Sequence, residues 1–178
     1  MDSQIDTNHL LVEKCRQNNR KAQFELYQKY SKAMYNIALR MLYKEADAQD
    51  VLQEAFASAF INIHQFSEQV TFGAWLKRIV INKCLDFIKK KKLKLVELEN
   101  VAYKISDTVE SEEVFYRVPP AKVHEKIKEL PNGCRVVFTL YALEGYDHKE
   151  IAQVLEVSES TSKSQYNRAK KLLRKMLE

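Results

Sequence analysis

The sequence predicts an all-α protein that consists of two small helical domains. Only three glycines and three prolines occur in 178 residues, so helices are seldom interrupted and tight turns are scarce. Apolar residues recur at spacings of three and four along most of the chain, which is the period of one helix face. A chain of this length can form one ordinary domain or two small ones.

The first part of the chain is predicted to form a four-helix bundle. Asn8 is expected to cap a short first helix, and a long second helix follows it. Asp47 is expected to cap the third helix. The stretch 64–71 loses the helical period and is predicted to be a loop, after which Thr71 caps the fourth helix. That helix ends in a run of lysines, and the stretch 76–94 holds eight basic residues and a single acid.

Residues 94–120 are predicted to form an extended acidic linker between the two domains. This stretch shows no sustained helical period and closes with two consecutive prolines. From residue 95 to residue 120, six acidic residues occur with only two basic ones, which reverses the charge of the preceding helix. A uniformly solvated surface would not separate charge in this way, so we expect an anionic partner for the basic segment.

The last part of the chain is predicted to contain a helix-turn-helix motif. Asp147 and Glu150 are three residues apart and match a capping box that opens a short helix. A three-residue turn follows, and Ser158 is expected to cap the last helix. In such a motif the second helix enters the major groove of DNA, where it meets base edges and phosphates.

The last helix presents hydrogen-bonding and cationic side chains that suit this task, and we expect them to contact DNA. They are Ser160, Thr161, Lys163, Ser164, Gln165, Asn167, Arg168 and Lys171. A polar helix face that meets only solvent is the alternative. The turn, the spacing and the basic second helix occur together, however, and they favour DNA binding.

A set of residues across the C-terminal part matches a known pattern. The set is Leu130, Pro131, Arg135, Phe138, Leu140, Gly145, Glu150, Ile151, Ala152, Thr161, Lys163, Ser164, Arg168 and Ala169. With these residues the segment resembles the promoter-reading region of bacterial RNA polymerase sigma factors of the sigma-70 family, specifically the extracytoplasmic-function group. In that family the last helix reads the minus-thirty-five promoter element. Ser160, Ser162 and Gln165 depart from the commoner pattern, so the resemblance does not fix the preferred base sequence.

The N-terminal part resembles the same family independently. Residues 47–56 are similar to the sigma segment that docks on the clamp helices of the polymerase's largest subunit. Asp47, Asp50 and Glu54 are spaced by three and four and therefore share one helix face, with Gln53 beside it. An acidic strip on a basic protein favours a protein partner with basic side chains over DNA, although a merely solvated face has the same pattern.

The following segment, which begins at Phe72 and includes Trp75, resembles the minus-ten reading region of the family. The side chains of Phe72 and Trp75 are expected in the core. The resemblance places the preceding loop where family members capture an unstacked base of the non-template strand. The residues expected to hold that base or the neighbouring phosphates are Gln65, Phe66, Ser67, Glu68, Gln69, Asn82, Lys83, Lys89 and Lys90. A solvated helix end is the alternative explanation for the lysines.

The resemblance implies a protein of three parts. Residues 1–93 correspond to the region 2 domain, for core polymerase and the minus-ten element; residues 94–120 to the linker; and residues 121–178 to the region 4 helix-turn-helix domain, for the minus-thirty-five element. The implied partners are core RNA polymerase, promoter DNA and an anti-sigma factor. On the polymerase, the implied contacts are the clamp helices of the largest subunit and the flap of the second-largest subunit.

Other functions find little support in the sequence. We expect no enzymatic activity, cofactor or metal, because there is no Gly-rich phosphate loop, catalytic nucleophile beside a histidine, or metal-ligand spacing. No apolar run approaches the roughly 20 residues needed to span a bilayer, so we expect a cytoplasmic protein without direct membrane insertion. The alternative left open is a free-standing helix-turn-helix transcriptional regulator with an N-terminal sensing or dimerisation bundle.

Overall fold

The structure, a computed structural model, describes residues 3–90 and 119–178, and side chains from Asn8 onward in the first of these segments. The helices in these segments are α1 (Ser3–Arg16), α2 (Arg20–Leu42), α3 (Glu45–Ile61), α4 (Phe72–Lys90), α5 (Pro120–Glu129), α6 (Asn132–Phe138), α7 (His148–Leu155) and α8 (Glu159–Leu177). A 3-10 turn (Ile63–Gln65) follows α3, and a π turn (Thr139–Leu143) follows α6. All regular structure in the described segments is helical, which confirms the predicted fold class.

The chain separates into two compact units, residues 1–88 and 89–178. The first contains the predicted four-helix bundle, and the second contains the predicted helix-turn-helix. The predicted linker lies outside the described residues, apart from its last two positions, where Pro120 already begins α5. The linker's bounds at residues 94 and 120 therefore stay predictions.

The N-terminal unit buries one face of each of its four helices. Its side chains with almost no exposure come from every element, and they include Val12, Leu26, Met41, Val51, Ile63, Leu76 and Ile81. Only Tyr43 and Lys44 separate α2 from α3, and Tyr43 takes a positive φ of 69° that ends α2. The two helices consequently turn back on one another, with the rings of Tyr27 and Phe56 4.8 Å apart.

An aromatic cluster joins the start of α4 to the rest of this unit. The Phe72 ring lies 5.4 Å from the ring of Tyr30 on α2, 5.8 Å from that of Phe66 in the loop, and 5.7 Å from that of Trp75. Gly73 permits this approach, since a Cβ at that position would lie 2.9 Å from Cε1 of Tyr30. Phe72 is buried and Trp75 half-buried, so both belong to the packing of the unit.

Two of the expected helix caps are wrong. Asn8 lies inside α1 rather than at its start, and its Nδ2 donates to the hydroxyl of Tyr30 at 2.9 Å. Asp47 lies in the first turn of α3, whose cap position is Lys44. An acid in the first turn still interacts favourably with the positive end of the helix dipole. The cap at Thr71 is confirmed, because its Oγ1 accepts from the backbone N–H of Ala74 at 3.2 Å.

The C-terminal unit has its own apolar core. Its central residues are Ile127, Leu130, Cys134, Phe138, Ala169 and Leu173. The buried guanidinium of Arg135 donates to the carbonyl oxygen of Leu130 at 3.0 Å and to Oδ1 of Asn132 at 2.6 Å, which secures the turn between α5 and α6. After Phe138 the chain changes directly from α6 into the π turn.

The helix-turn-helix forms as its sequence predicts. Glu150 donates its backbone N–H to Asp147 Oδ1 at 2.7 Å, and Glu150 Oε2 accepts from the backbone N–H of Asp147 at 2.8 Å, so the capping box is complete. Glu156 takes a left-handed φ of 58° in the turn. Ser158 Oγ then accepts from the backbone N–H of Thr161 at 3.0 Å and caps α8.

The capping box gives the first prediction. Replacing Asp147 with Ala should lower the stability of the C-terminal unit by about 1 kcal/mol, because a backbone N–H of α7 loses its partner. Chemical denaturation followed by far-UV circular dichroism measures this loss. Trp75 is the single tryptophan and lies in the N-terminal unit, so the transition seen by its fluorescence should not move.

The control for this prediction is Glu150→Gln, which keeps a side-chain acceptor for the reciprocal bond. It should change stability less than Asp147→Ala. Equal effects of the two substitutions, or a parallel shift of the Trp75 transition, would argue that the capping box has no separate role in the C-terminal unit.

Candidate polymerase and nucleic-acid interfaces

The acidic strip on α3 faces away from the core of the N-terminal unit. Asp50, Gln53 and Glu54 are exposed, and Asp47 is half-buried. The opposite face of α3 is buried through Ala48, Val51, Leu52, Ala55 and Phe56. Because the apolar residues take one face, the four expected docking residues lie together on or beside the other, as their spacing predicted.

The loop between α3 and α4 is held at both ends by buried side chains. Ile63 anchors its start, and Phe66 is only 5% exposed, with its ring 5.3 Å from the ring of Trp75. Phe66 therefore cannot stack on a base while this core remains closed, and the structure corrects its predicted role in base capture. Gln65, Ser67, Glu68 and Gln69 are exposed, and Gln65 Nε2 donates to Oδ1 of Asn62 at 3.1 Å.

An ion-pair network connects this loop to α1. One nitrogen of the Arg16 guanidinium donates to Glu13 Oε1 and, at 3.1 Å, to Glu68 Oε1. His9 Nε2 lies 3.3 Å from Glu68 Oε2. His9, Glu13 and Glu68 offer potential metal-ligand atoms within 4.8 Å of one another. Because Arg16 already places a positive charge on both carboxylates, we interpret this group as an ion-pair network rather than as a metal centre.

The four expected phosphate-contacting residues of α4 occupy one broad face of that helix. At 100° per residue, Asn82 and Lys89 form one stripe, and Lys83 and Lys90 form the adjacent one. Lys83 is half-buried and the other three are exposed. The buried side chains of the same stretch, which include Ile81, Cys84, Leu85 and Ile88, lie on the opposite side.

Helix α8 exposes most, but not all, of the expected DNA-contacting residues. Exposed side chains are Ser160, Lys163, Ser164, Asn167 and Lys171, while Thr161 and Arg168 are half-buried. Gln165 is only 5% exposed, and its Oε1 lies 3.0 Å from Sγ of Cys134 on α6. Its predicted contact with DNA is therefore wrong for this conformation, because its amide belongs to the core of the unit.

Some exposed groups at the start of α8 also have partners within the chain. The hydroxyl of Ser158 lies 2.8 Å from that of Ser160 and 2.7 Å from that of Thr161. Lys163 Nζ forms an ion pair with Glu159 Oε1 at 2.7 Å. A surface ion pair of this kind is worth about 1 kcal/mol or less, so a phosphate can compete for the lysine.

A buried polar contact between α7 and α8 was not predicted. Ser162 has no exposed surface, and its Oγ lies 2.9 Å from Nδ1 of His148. The ring of Tyr141 stacks on the His148 ring with centroids 4.2 Å apart, and that of Tyr166 lies 5.7 Å from the same ring. The signal was present in the sequence, because Ser162 and Gln165 interrupt the apolar stripe that continues at Ala169 and Leu173.

The three cysteines are buried thiols in separate places. Burial raises the pKa of Cys84 to about 12, and it raises the pKa values of Cys15 and Cys134 to about 11. All three are therefore thiols rather than thiolates at neutral pH, which suppresses their nucleophilicity.

Comparison with known proteins identifies the family. Residues 26–93 match the sequence family described as Sigma-70 region 2, and residues 121–173 match the one described as Sigma-70, region 4. The chain belongs to the sigma-70 family. It is 32% identical over 158 residues to the ECF RNA polymerase sigma factor SigW of Bacillus subtilis (strain 168), an alignment that covers 83% of this chain and 84% of SigW. It is thus a sigma factor of the extracytoplasmic-function group.

Solved structures of sigma factors share this architecture. The chain resembles CnrH, solved in complex with the cytosolic domain of CnrY, with 25% identity, a TM-score of 0.52 and 96% coverage of both chains. It shares its fold with the sigma factor RpoE, solved with the anti-sigma factor NepR from Bartonella quintana. That match has 19% identity and a TM-score of 0.51, and it covers 86% of this chain and 94% of RpoE.

The family match and the helices of the structure also bear on two other predictions, the alternative regulator and the absence of membrane insertion. The region 2 match in the N-terminal unit does not favour the free-standing regulator, whose N-terminal bundle would sense a ligand or dimerise. Sigma factors are transcription initiation factors. Among the described residues, no helix of this sigma factor combines the length and the apolar character that crossing a membrane requires.

The contact between His148 and Ser162 gives a pH-dependence prediction. Burial lowers the pKa of His148 below its ordinary value of 6.5, and the neighbouring Lys163 lowers it further, against the opposing effects of Glu159 and Asp147. The unfolded chain then binds a proton more readily than the folded chain does. The contribution of His148 is complete above pH 6.5 and decreases as the pH falls below that value toward the lowered folded pKa.

His148→Asn tests this dependence, because it removes the titrating group and keeps a polar atom near Ser162. Between pH 7.5 and 5.5, the parent C-terminal unit should lose more stability than the variant, as measured by denaturation followed by circular dichroism. An NMR titration should give the ring of His148 in the parent a pKa below 6.5. A titration at or above 6.5 would contradict the assignment.

Proposed function

We propose that this chain binds core RNA polymerase and directs transcription initiation at promoters with minus-ten and minus-thirty-five elements. The observation that carries the proposal is the presence of region 2 and region 4 in one chain, with an outward acidic strip on α3 and basic surfaces on α4 and α8. We further propose that the region 2 domain spans residues 1–93, the linker 94–120 and the region 4 domain 121–178. The protein would act in the cytoplasm, beside the polymerase.

The proposed contact with polymerase is made by α3. Asp47, Asp50, Gln53 and Glu54 offer three carboxylates and an amide on a short length of helix, which suits basic and hydrogen-bonding side chains on a partner protein. The proposed partner of this strip is the pair of clamp helices of the polymerase's largest subunit. The proposed partner of the C-terminal domain is the flap of the second-largest subunit. Because the strip repels phosphates, it also keeps this face of the protein away from DNA.

The proposed minus-ten contact combines the loop and α4. Gln65, Ser67 and Gln69 are exposed polar residues that can hydrogen-bond the edge of an unstacked base. On α4, Asn82 and the three lysines 83, 89 and 90 would hold the phosphates of the same strand. Neutralising phosphates releases counterions, so the affinity for DNA should fall steeply as the salt concentration rises.

The proposed minus-thirty-five contact is made by α8. Its start carries the exposed Ser160, Lys163 and Ser164, and the positive end of the helix dipole lies at the same place. Asn167 and Lys171 continue this exposed face by about two further turns, with Arg168 beside it. The arrangement fits a helix that enters the major groove with base edges at its N-terminal half and phosphates along its flanks.

We also propose that the chain has no enzymatic activity of its own. The free energy for strand separation would come from tighter binding to the open form of the promoter than to the duplex. An anti-sigma factor is the proposed regulator. The complex of RpoE with NepR supports this last point, since the chain shares the fold of RpoE.

Charge reversal on α3 tests the polymerase contact. Asp50→Lys combined with Glu54→Lys should weaken the binding of core RNA polymerase by at least about tenfold, because two attractive charge pairs become repulsive. A competition assay with purified core polymerase measures the affinity, and circular dichroism checks that helicity is unchanged. The control is Glu25→Lys with Glu125→Lys, which makes the same change in net charge at exposed positions outside the strip.

The control variant should bind core polymerase as the parent does. If the Asp50 and Glu54 variant also binds normally, α3 is not the docking helix. If both variants bind weakly, total charge rather than the strip determines the affinity.

Arg168→Ala tests the minus-thirty-five contact. It should weaken binding to a duplex that contains the minus-thirty-five element by about fivefold. The salt dependence of that affinity should decrease by an amount that corresponds to about one phosphate contact. Lys175→Ala is the matched control, because it removes an exposed charge from the last turn of α8, far from the proposed base contacts. Identical DNA affinities for parent and Arg168→Ala would remove Arg168 from the interface.

A further inference from the structure

We propose that Arg16 is a positioning residue. It holds the loop between α3 and α4 in the conformation that receives a base of the minus-ten element. This inference rests on the proposed function. Arg16 is the last residue of α1 and lies outside the segment that matches region 2, which begins at residue 26. Its role would therefore add a component from outside that segment to the minus-ten surface.

The contacts of Arg16 enclose the loop from two sides. Its second guanidinium nitrogen donates to the backbone carbonyl oxygen of Phe66 at 2.7 Å, while the first donates to Glu68 Oε1 at 3.1 Å. These two acceptors flank Ser67, one of the exposed residues proposed to meet the base. The Arg16 side chain is only 23% exposed, and its bond to the carbonyl oxygen of Phe66 is partly shielded from water and salt.

The loop needs such support because its backbone lacks the regular hydrogen bonds of a helix. Residues 66–71 form no regular helix, and Glu68 takes a left-handed φ of 61°. A residue with a side chain adopts that conformation only at a cost in free energy, so neighbouring contacts must stabilise it. The buried ring of Phe66 fixes one side of this turn. The guanidinium of Arg16 fixes the carboxylate on the other.

The position of Arg16 is itself well defined. Val12 and Cys15 on α1 are buried in the N-terminal unit. Asn8 connects α1 to α2, because its Oδ1 accepts from Nζ of Lys29 at 2.9 Å and its Nδ2 donates to Tyr30. The guanidinium therefore projects from a helix that the rest of the unit holds in place.

This arrangement changes the role assigned to Glu68. Both of its carboxylate oxygens have partners on α1, one in Arg16 and the other in His9. A free carboxylate beside a bound strand would repel its phosphates, and the ion pair with Arg16 offsets that charge. We therefore infer that Glu68 shapes the loop, and that Ser67 and Gln69 are left to contact the base.

Ordering a loop when a ligand binds reduces the affinity, and an already ordered loop avoids that loss. Arg16→Ala should consequently weaken binding of the single-stranded minus-ten non-template oligonucleotide to the holoenzyme by about fivefold to twentyfold. Arg16→Lys keeps the charge but cannot donate to both acceptors through a planar fork, so its effect should be intermediate. Affinities for core polymerase and for the upstream duplex should be unchanged.

The experiment uses the full chain assembled with core polymerase and measures the anisotropy of a labelled oligonucleotide whose sequence comes from promoter selection. Arg20→Ala is the matched control, since Arg20 is an exposed arginine in the first turn of α2. If Arg16 acted only by attracting phosphates, the two alanine variants would lose affinity equally. A double-mutant cycle of Arg16→Ala with Glu68→Gln should be non-additive.

A second readout does not depend on DNA. Trp75 lies against the ring of Phe66, so Arg16→Ala should increase both the quenching of Trp75 by acrylamide and the amide hydrogen exchange of residues 66–70. Unchanged quenching and exchange would overturn the positioning role whatever the DNA result. Failure of the parent holoenzyme to bind any minus-ten oligonucleotide would instead count against the proposed function, and the quenching and exchange data would still decide the role of Arg16.

Discussion

The packing of the Phe72 ring is the interaction on which the arrangement of the N-terminal unit depends most. Phe72 begins α4, touches Tyr30 of α2 and Phe66 of the loop, and stands beside Trp75. A single buried aromatic cluster therefore fixes the start of the basic helix, the end of the loop and the position of α2 together. The exposed groups of the loop and of α4 that are proposed to contact DNA are positioned by this cluster, because they lie on elements that it joins.

The second constraint is the separation of charge between surfaces. The chain has a net charge of +5, yet α3 presents carboxylates where its neighbour α4 presents lysines. In the proposed function, the sign of the charge would direct polymerase to α3 and nucleic acid to α4, since a surface of one sign attracts one partner and repels the other. This sorting needs no flexible rearrangement, because both helices are fixed in the same apolar core.

Local chemistry explains which features could be predicted from the sequence. Thr71, Asp147 and Ser158 were identified as caps because each bonds a backbone N–H within three residues of itself. The exposed face of α3 followed from spacing alone. Asn8 and Asp47 were misplaced because both can act as caps, and the sequence does not show where the first turn of each helix begins.

Tertiary contacts explain the rest. Phe66 and Gln165 have the residue types of nucleic-acid contacts, but partners distant in sequence hold them inward: Trp75 for the one, Cys134 for the other. The residues of the ion pair between Arg16 and Glu68 are 52 positions apart in the sequence, and no local pattern in either segment predicts it. Sequence reasoning therefore predicted most of the exposed side chains on these elements and missed the tertiary contacts that hold the elements in place.

The two buried polar contacts of α8 have a consequence for how this helix can change. Ser162 bonds to α7 and Gln165 to α6, so two directional bonds on the inward side determine the rotation of α8 about its own axis. Apolar contacts alone would tolerate small rotations with little loss. With the rotation held from inside, the outward residues can be exchanged one at a time while each keeps its position relative to the proposed DNA groove. The sequence preference of the helix can then diverge in small steps without any redesign of the domain beneath it.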